Sequence, residues 1–322
     1  MMRLVLRRLI TLVPLVWLVV TATFVVVHAA PGSYADTLDH PRLTNEGREL
    51  IRDRYGLDQP LHQQYVQWLR AVATGDLGTS YLFKEPVTRV ITRALPPTLL
   101  LTGTALLFDL MLGLGIAMAA ARRPYGWVDR VTTVLGLGVY GLPSFWVAGM
   151  AILVFAVWLG WFPPSHMHSV GADQLSGVAR LADLLHHLVL PALCLGVVGA
   201  AATARYLRAT LIETGRSRFV LAARARGLSE RRILWVHSLR PALLPVATLI
   251  GLSVPFLVSG SVVVESIFSW PGMGRVLWLS AQARDVPVVL GVTLVGALAV
   301  VLGSLLADLL YAVVDPRVRE QR

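Results

Sequence analysis

Lysine is almost missing from this chain, with Lys84 the only one in 322 residues. A phosphate-cradling P-loop needs glycines followed by lysine and Ser or Thr. Lys84 stands between Leu82-Phe83 and Glu85-Pro86 with no glycine run before it, so any nucleotide hydrolysis belongs to another chain. Cysteine occurs once, as Cys194 in the apolar run Leu188 to Leu195. That excludes an intramolecular disulfide and any multi-cysteine metal site, and predicts a packed thiol. Charge is scarce too: 15% of residues are charged, against about 25% in soluble domains. What fills the space is apolar, 55% of the chain with a mean hydropathy of +0.64. The net charge of +10 is nearly all arginine. At this hydropathy it points to anionic lipid headgroups or an acidic protein face rather than to nucleic acid.

A bilayer core about 30 Å thick takes about 20 apolar residues of helix. Six stretches qualify: Leu9 to Val27, Pro97 to Ala121, Val131 to Trp161, Leu188 to Ala204, Leu243 to Val264 and Val286 to Val314. The third is over-long, and Pro143 in Gly141-Leu142-Pro143 is the natural kink. The first, preceded by Arg3, Arg7 and Arg8, is too long for a signal-peptide core and reads as an uncleaved anchor. The predicted fold is therefore an all-α integral membrane protein with six transmembrane helices.

Arginine placement sets the predicted orientation, because positive charge stays on the cytoplasmic side. Basic residues number three before the first span, three in Arg122 to Arg130, nine in Arg205 to Arg240 and three in Pro316 to Arg322. Phe162 to His187 has one and Glu265 to Asp285 two. Both termini are then cytoplasmic, and the expected division is 1–30 as the N-terminal transmembrane helix, 31–96 as an extracytoplasmic helical segment and 97–322 as the core. Within 31–96, Thr44-Asn45-Glu46 predicts a helix start and Gly56 a stop, with a second helix from Leu61 to Val72. Leu57, Leu61, Tyr65, Trp68 and Leu69 are expected to pack on the membrane core.

Arg205 to Arg240 carries the most information. Arg218-Phe219-Val220-Leu221-Ala222-Ala223-Arg224-Ala225-Arg226 is a short helix former, and Gly227 is placed to take the left-handed conformation that ends such helices. Ser229 then caps a second helix, with Glu230 in its first turn, that continues to Pro241. Small alanines would let a partner approach the first helix closely. Touching lipid headgroups alone is the other reading the arginines permit.

With Phe219-Val220, Ala223-Arg224-Ala225-Arg226-Gly227-Leu228-Ser229, His237, Leu239-Arg240, Ala242-Leu243 and Pro245, the chain resembles the membrane subunits of bacterial ATP-binding-cassette importers, in the dipeptide, oligopeptide and nickel branch. The resemblance extends over nearly the whole chain. It takes in Tyr55-Gly56-Leu57-Asp58, Gly75-Asp76-Leu77-Gly78-Thr79-Ser80, His187-Leu188-Val189-Leu190-Pro191, Gly260-Ser261-Val262-Val263-Val264-Glu265, and Asp308-Leu309-Leu310-Tyr311 with Asp315-Pro316-Arg317. Phe219 stands where the branch usually has Tyr, Arg226 where Lys is common and Pro241 where Asn is usual.

The resemblance implies a type I importer transmembrane domain whose coupling helix, here Phe219, Val220, Ala222, Ala223, Arg224, Ala225, Arg226, Gly227 and Leu228, inserts into a cytoplasmic ATPase. Ser229, His237, Arg240 and Pro245 would support it. It implies no cofactor in this chain, with ATP and Mg held by the partner ATPase subunits. Further implied partners are a second homologous permease subunit, membrane lipids and an extracytoplasmic substrate-binding protein, for which the segment Ala30 to Pro96 and the loop Glu265 to Asp285, with Ser269-Trp270-Pro271-Gly272-Met273-Gly274, are candidate contacts. The cargo would be dipeptides or oligopeptides, with nickel, glutathione or sugars as alternatives. An ATP-independent channel or secondary transporter is the reading from another class, disfavoured by the lack of paired acidic residues at midmembrane depth.

No catalytic residue is expected. The serines nearest His186 and His187 are Ser165, Ser169 and Ser176 in an external loop, so these histidines read as helix-capping or interfacial rather than as the base of a hydrolase. Spacing by two makes His166 and His168 a weak metal pattern, and no metal site is predicted. Asp109, Glu265 and Asp308 are the costly intramembrane charges. Glu265 and Asp308 are expected to pair helices, and Asp109 to do so or to face the substrate path. Ala299, Gly303 and Ala307 form a small-residue seam for a neighbouring helix or subunit.

Overall fold

Long uncharged stretches make long helices here because every backbone polar group inside a bilayer must be satisfied within its own helix. The computed structural model describes residues 2–30, 59–243, 246, 250, 253, 256–258 and 260–314, and these are helical with one bridge pairing Thr79 with Pro86. The predicted helix at Thr44 to Gly56, Leu57, Pro245, Asp315-Pro316-Arg317 and much of the fifth apolar stretch lie outside the described residues. Among the described residues three helices are long and apolar enough to cross a membrane: α3 (Val87–Arg122), α6 (Gly177–Gly215) and the Val286–Leu305 part of α11 (Val286–Val314). α1 (Met2–Ala29) contributes a shorter apolar run.

The third apolar stretch breaks rather than kinks. α4 (Trp127–Tyr140) and α5 (Ser144–Ala151), which continues in wider turns through Ile152–Trp158, meet at 103° across Gly141-Leu142-Pro143. A proline N-cap starts α5 without any donor being lost, since the first turn has no internal acceptor for it.

α3 and α6 form the principal helix pair. Small residues allow it: a β carbon at Gly196 would lie 2.8 Å from the carbonyl oxygen of Ala105. Ala117, Met118, Leu207 and Leu211 continue the seam to one end of the pair, and Leu101, Leu188 and Ala192 close it near the other around Trp270. Cys194 is a buried, packed thiol between Ala148, Leu190, Val264 and Phe268.

Two boundaries and one packing contact differ from expectation. α3 starts at Val87, so it crosses the division drawn at 96/97 with Pro96 and Pro97 inside it. α6 runs on to Gly215, placing Arg205 to Gly215 in a helix rather than in a loop. The physical reason is a partner: Arg208 forms a two-pronged ion pair with Asp129, which is buried at 2% exposure and also accepts the Tyr125 N–H. A neutralised arginine does not end a membrane helix. Lastly, Leu61 in α2 (Leu61–Ala73) is exposed, whereas Tyr65 and Trp68 pack on Phe24 of α1 and the Tyr65 hydroxyl bonds Thr21 at 2.6 Å.

Candidate functional site

The arginine-rich segment folds by local rules. α7 (Arg218–Ala225) ends where Gly227 adopts φ +77°, a conformation that costs other L-residues about 1–2 kcal/mol. Its N–H donates to the Arg224 carbonyl at 2.8 Å, and that of Leu228 to Ala223 at 3.3 Å. This is a Schellman motif, and its usual apolar contact is present: Leu228 packs with Val220, Ala223 and Ile233. α8 follows as three continuous pieces, Glu230–Arg232, the wider Ile233–Ser238 and Leu239–Ala242. Ser229 accepts the Arg232 N–H at 3.4 Å as its cap. Arg224 grips Glu230 with two hydrogen bonds, at 2.7 and 3.0 Å, and holds its carboxyl below the usual range. The pair clamps the two helices across the turn.

Two faces result. Val220 and Ala223 point inward and are fully buried, while Phe219, Leu221, Ala222, Ala225 and Arg226 lie exposed. Phe219 is half exposed, at 49%, beside Leu221 at 51%. The alanines thus divide between an inner packing face and an outer one. From the inner face α8 leads onward to a second cluster. Val220 and Ala223 touch Ile233, and farther along α8 Leu239 and Ala242 join Ala117, Met118, Leu207 and Leu211 in the α3–α6 seam. His237 is partly buried and Arg240 exposed on the same helix.

Glu265, in α9 (Val262–Ile267), is completely buried. Its Oε1 accepts the Thr98 hydroxyl at 3.1 Å and its Oε2 the Arg275 N–H at 3.1 Å. The Thr98 hydroxyl in turn accepts the Met273 N–H at 2.7 Å. The carboxylate therefore sits at the N-terminus of α10 (Met273–Gln282), where anions are favoured, and joins α3, α9 and α10. Trp270, also fully buried, donates its indole N–H to the Pro97 carbonyl at 2.8 Å. The motif Ser269 to Gly274 is accordingly turned inward, with Pro271 its one exposed residue. That corrects its reading as a broad external contact.

Asp109 lies in the α3–α6 interface, with Oδ2 2.6 Å from where a β carbon on Gly199 would stand. Its Oδ1 is buried without a hydrogen-bond partner among the described residues. Asp308 falls within α11, and its side chain lies outside the described residues. α11 packs along α1, and Ala299 and Gly303 of the small-residue seam are buried within the chain.

His186 and His187 sit inside α6 rather than at its head. His186 bonds the Trp161 carbonyl at 2.7 Å, and His187, buried, bonds the Asp183 carbonyl at 2.8 Å. Asp183 also holds His168 at 3.0 Å, so these side chains fasten the loop before α6 to the helix. No cluster able to hold a metal occurs among the described residues. Reading by sequence missed the Asp129–Arg208 pair and Asp285, which is buried and takes the Ser80 hydroxyl at 2.5 Å. The one available signal was that Asp129 is the sole acidic residue between Arg122 and Arg130.

Comparison with known proteins completes the site. Residues 111–320 match the family described as binding-protein-dependent transport system inner membrane component, and residues 1–102 match the N-terminal family of such membrane components. The oligopeptide transport system permease protein AppB of Bacillus subtilis (strain 168) is 38% identical over 315 residues, 98% of each chain. The glutathione transport system permease protein GsiC is 36% identical in Salmonella choleraesuis (strain SC-B67) and 35% in Escherichia coli (strain K12), over 99% of each chain. With an arginine-flanked helix pair tied to a membrane-helix seam and family matches over both parts of its length, this chain belongs to the binding-protein-dependent transport system inner membrane components, the membrane permeases of such systems.

Proposed function

We propose that the chain forms the translocation path of an ATP-binding-cassette importer for dipeptides or oligopeptides, and that α7 is the element through which separate ATPase subunits drive it. The carrying observation is the two-faced build of α7, with Phe219, Leu221 and Ala222 outside and Val220 and Ala223 packed inside onto Ile233 of α8, whose far end packs in the α3–α6 seam. The peptide class rests on the names of the similar permeases, since glutathione is itself a short peptide.

In this reading six helices span the membrane with both termini and α7–α8 on the cytoplasmic side, as the arginine distribution supports. The N-terminal helix, the external segment to residue 96 and the core from 97 act as one permease. ATP and Mg are bound by the partner ATPases, a second permease subunit completes the path, and a soluble binding protein delivers cargo at the opposite face. Closure of the ATPases moves α7 and α8 as a body, and α3 with α6 follows, switching the path between inward and outward opening. Glu265 acts as a helix-pairing brace that keeps α3, α9 and α10 together while the other end moves. Asp109 is the pathway candidate, a carboxylate oxygen at a helix interface with no internal partner.

Gly227→Val tests the coupling role. A β-branched residue at φ +77° displaces α7 from α8 without touching the membrane core. Expected is loss of substrate-stimulated transport by at least about tenfold, the scale of a 1.4 kcal/mol change, with unchanged thermal unfolding of the purified permease. Full transport with normal ATPase assembly would sink the proposal. Flux by the chain alone in liposomes would instead establish an ATP-independent carrier.

A further inference from the structure

The inner side of the α7–α8 pair encloses a cavity of about 570 Å³ against the ends of α3 and α6. Arg122, Arg216, Arg224 and Arg231 line it with a single carboxylate, Glu230. Arg224 and Glu230 neutralise each other. Arg122, Arg216 and Arg231 make no ion pair or side-chain hydrogen bond among the described residues. Three arginines from three separate elements line one cavity without a carboxylate of their own, a lining complementary to an anion. Stabilisation of a cation at a helix C-terminus accounts for Arg122, the last residue of α3, and for Arg216, the C-cap of α6. It does not account for Arg231, which begins a different helix.

The remaining wall is apolar, with Leu211, Ile212, Leu234 and Trp235. The cavity also lies where α3 and α6 leave their apolar stretches. Close by along the chain, Tyr125 and Trp127 are exposed at 65% and 80%, as aromatic rings are at the level of lipid headgroups. A cavity basic on one side, apolar on the other and set at that level fits a phosphate attached to acyl chains better than a freely soluble one.

We propose that this cavity binds the phosphate headgroup of an anionic phospholipid, which thereby stiffens the joint between α7–α8 and the α3–α6 pair. The inference rests on the membrane-permease reading of α7. It concerns a different face, because Phe219, Leu221 and Ala222 do not line the cavity and stay free for a protein partner.

Native mass spectrometry of the full chain in detergent, with added dioleoyl phosphatidylglycerol or dioleoyl phosphatidylcholine, tests it. Each basic residue near an anionic headgroup contributes about fivefold in affinity, so phosphatidylglycerol is expected to bind at least about tenfold better than phosphatidylcholine. The triple variant R122Q/R216Q/R231Q should bring the two lipids level, R122K/R216K/R231K should retain the preference, and R231Q alone, at an exposed position, should cost about fivefold. Equal binding of both lipids by the unaltered chain, or an undiminished preference in the glutamine variants, overturns the proposal. So does displacement of phosphatidylglycerol by inorganic phosphate or ATP at millimolar concentration, which would make the occupant a soluble phosphate compound. The glutamine variants read the lipid site by binding alone, without ATPase or transport, whereas Gly227→Val reads coupling by transport, so failure of the coupling reading and failure of the lipid site give different results.

Discussion

Gly227 and Glu265 each govern a helix terminus, and they do so by opposite means. At Gly227 the backbone satisfies itself through two turn hydrogen bonds, the clamp of Arg224 on Glu230 faces water, and large apolar groups are left outside. At Glu265 one buried carboxylate accepts the donors of two other elements, and nothing polar remains exposed. The first element keeps its polar needs internal and its apolar surface outside, whereas the second does the reverse. The first region is held by a small cluster of Val220, Ala223, Leu228 and Ile233. The second is a network in which every member depends on the others.

The contrast is most sharply broken at Glu265. Glu265→Ala leaves the Thr98 hydroxyl and the Arg275 N–H as buried unpaired donors, each costing about 1–3 kcal/mol, so a loss of roughly 3 kcal/mol or more is expected in thermal unfolding of the purified permease. Transport should fall only as folded protein falls. Ile233→Ala comes next. It removes the residue on which Val220 and Ala223 rest, for about 2–4 kcal/mol of local packing. Hydrogen exchange should rise in α7 while α3 and α6 keep their protection, and uniform loss across all helices would refute the independence of the two regions.

Glu230→Gln is the mildest. Its carboxyl lies mostly in water, so less than about 1 kcal/mol is expected at neutral pH. Arg224 depresses the folded-state value of this carboxyl. Its contribution is therefore complete above the ordinary carboxylate range, and is lost as pH falls through the lower folded value. Protection of α7 amides should weaken with acidification in the unaltered chain and stay level in the variant. The Glu265 region should show no such exposed-clamp response.

How legible each region was in the sequence follows from its range. Gly227, Ser229 and Glu230 act on neighbours within a few residues, so the turn, the cap and the two short helices were readable directly. Arg208 was read as part of a loop because its partner, Asp129, is 79 positions away. Glu265 was read as a helix-pairing charge, but its partners on α3 and α10, and the inward turn of the motif around Trp270, required the fold. The break at Pro143 was visible as a weak point and not as a 103° corner, because a proline marks where a helix stops and tertiary packing sets the direction in which the chain resumes.

Composition and spacing determined that this is an all-α membrane chain with one arginine-rich helix pair whose first helix is ended by a glycine. Those properties depend on local hydrogen bonding and on the transfer of apolar surface, which act on each segment independently. Tertiary structure decided which face of α7 is buried, which acids are braces and where unmatched arginines converge. Such outcomes require groups far apart in the chain to meet, and close packing of α3 against α6 is what brings them together.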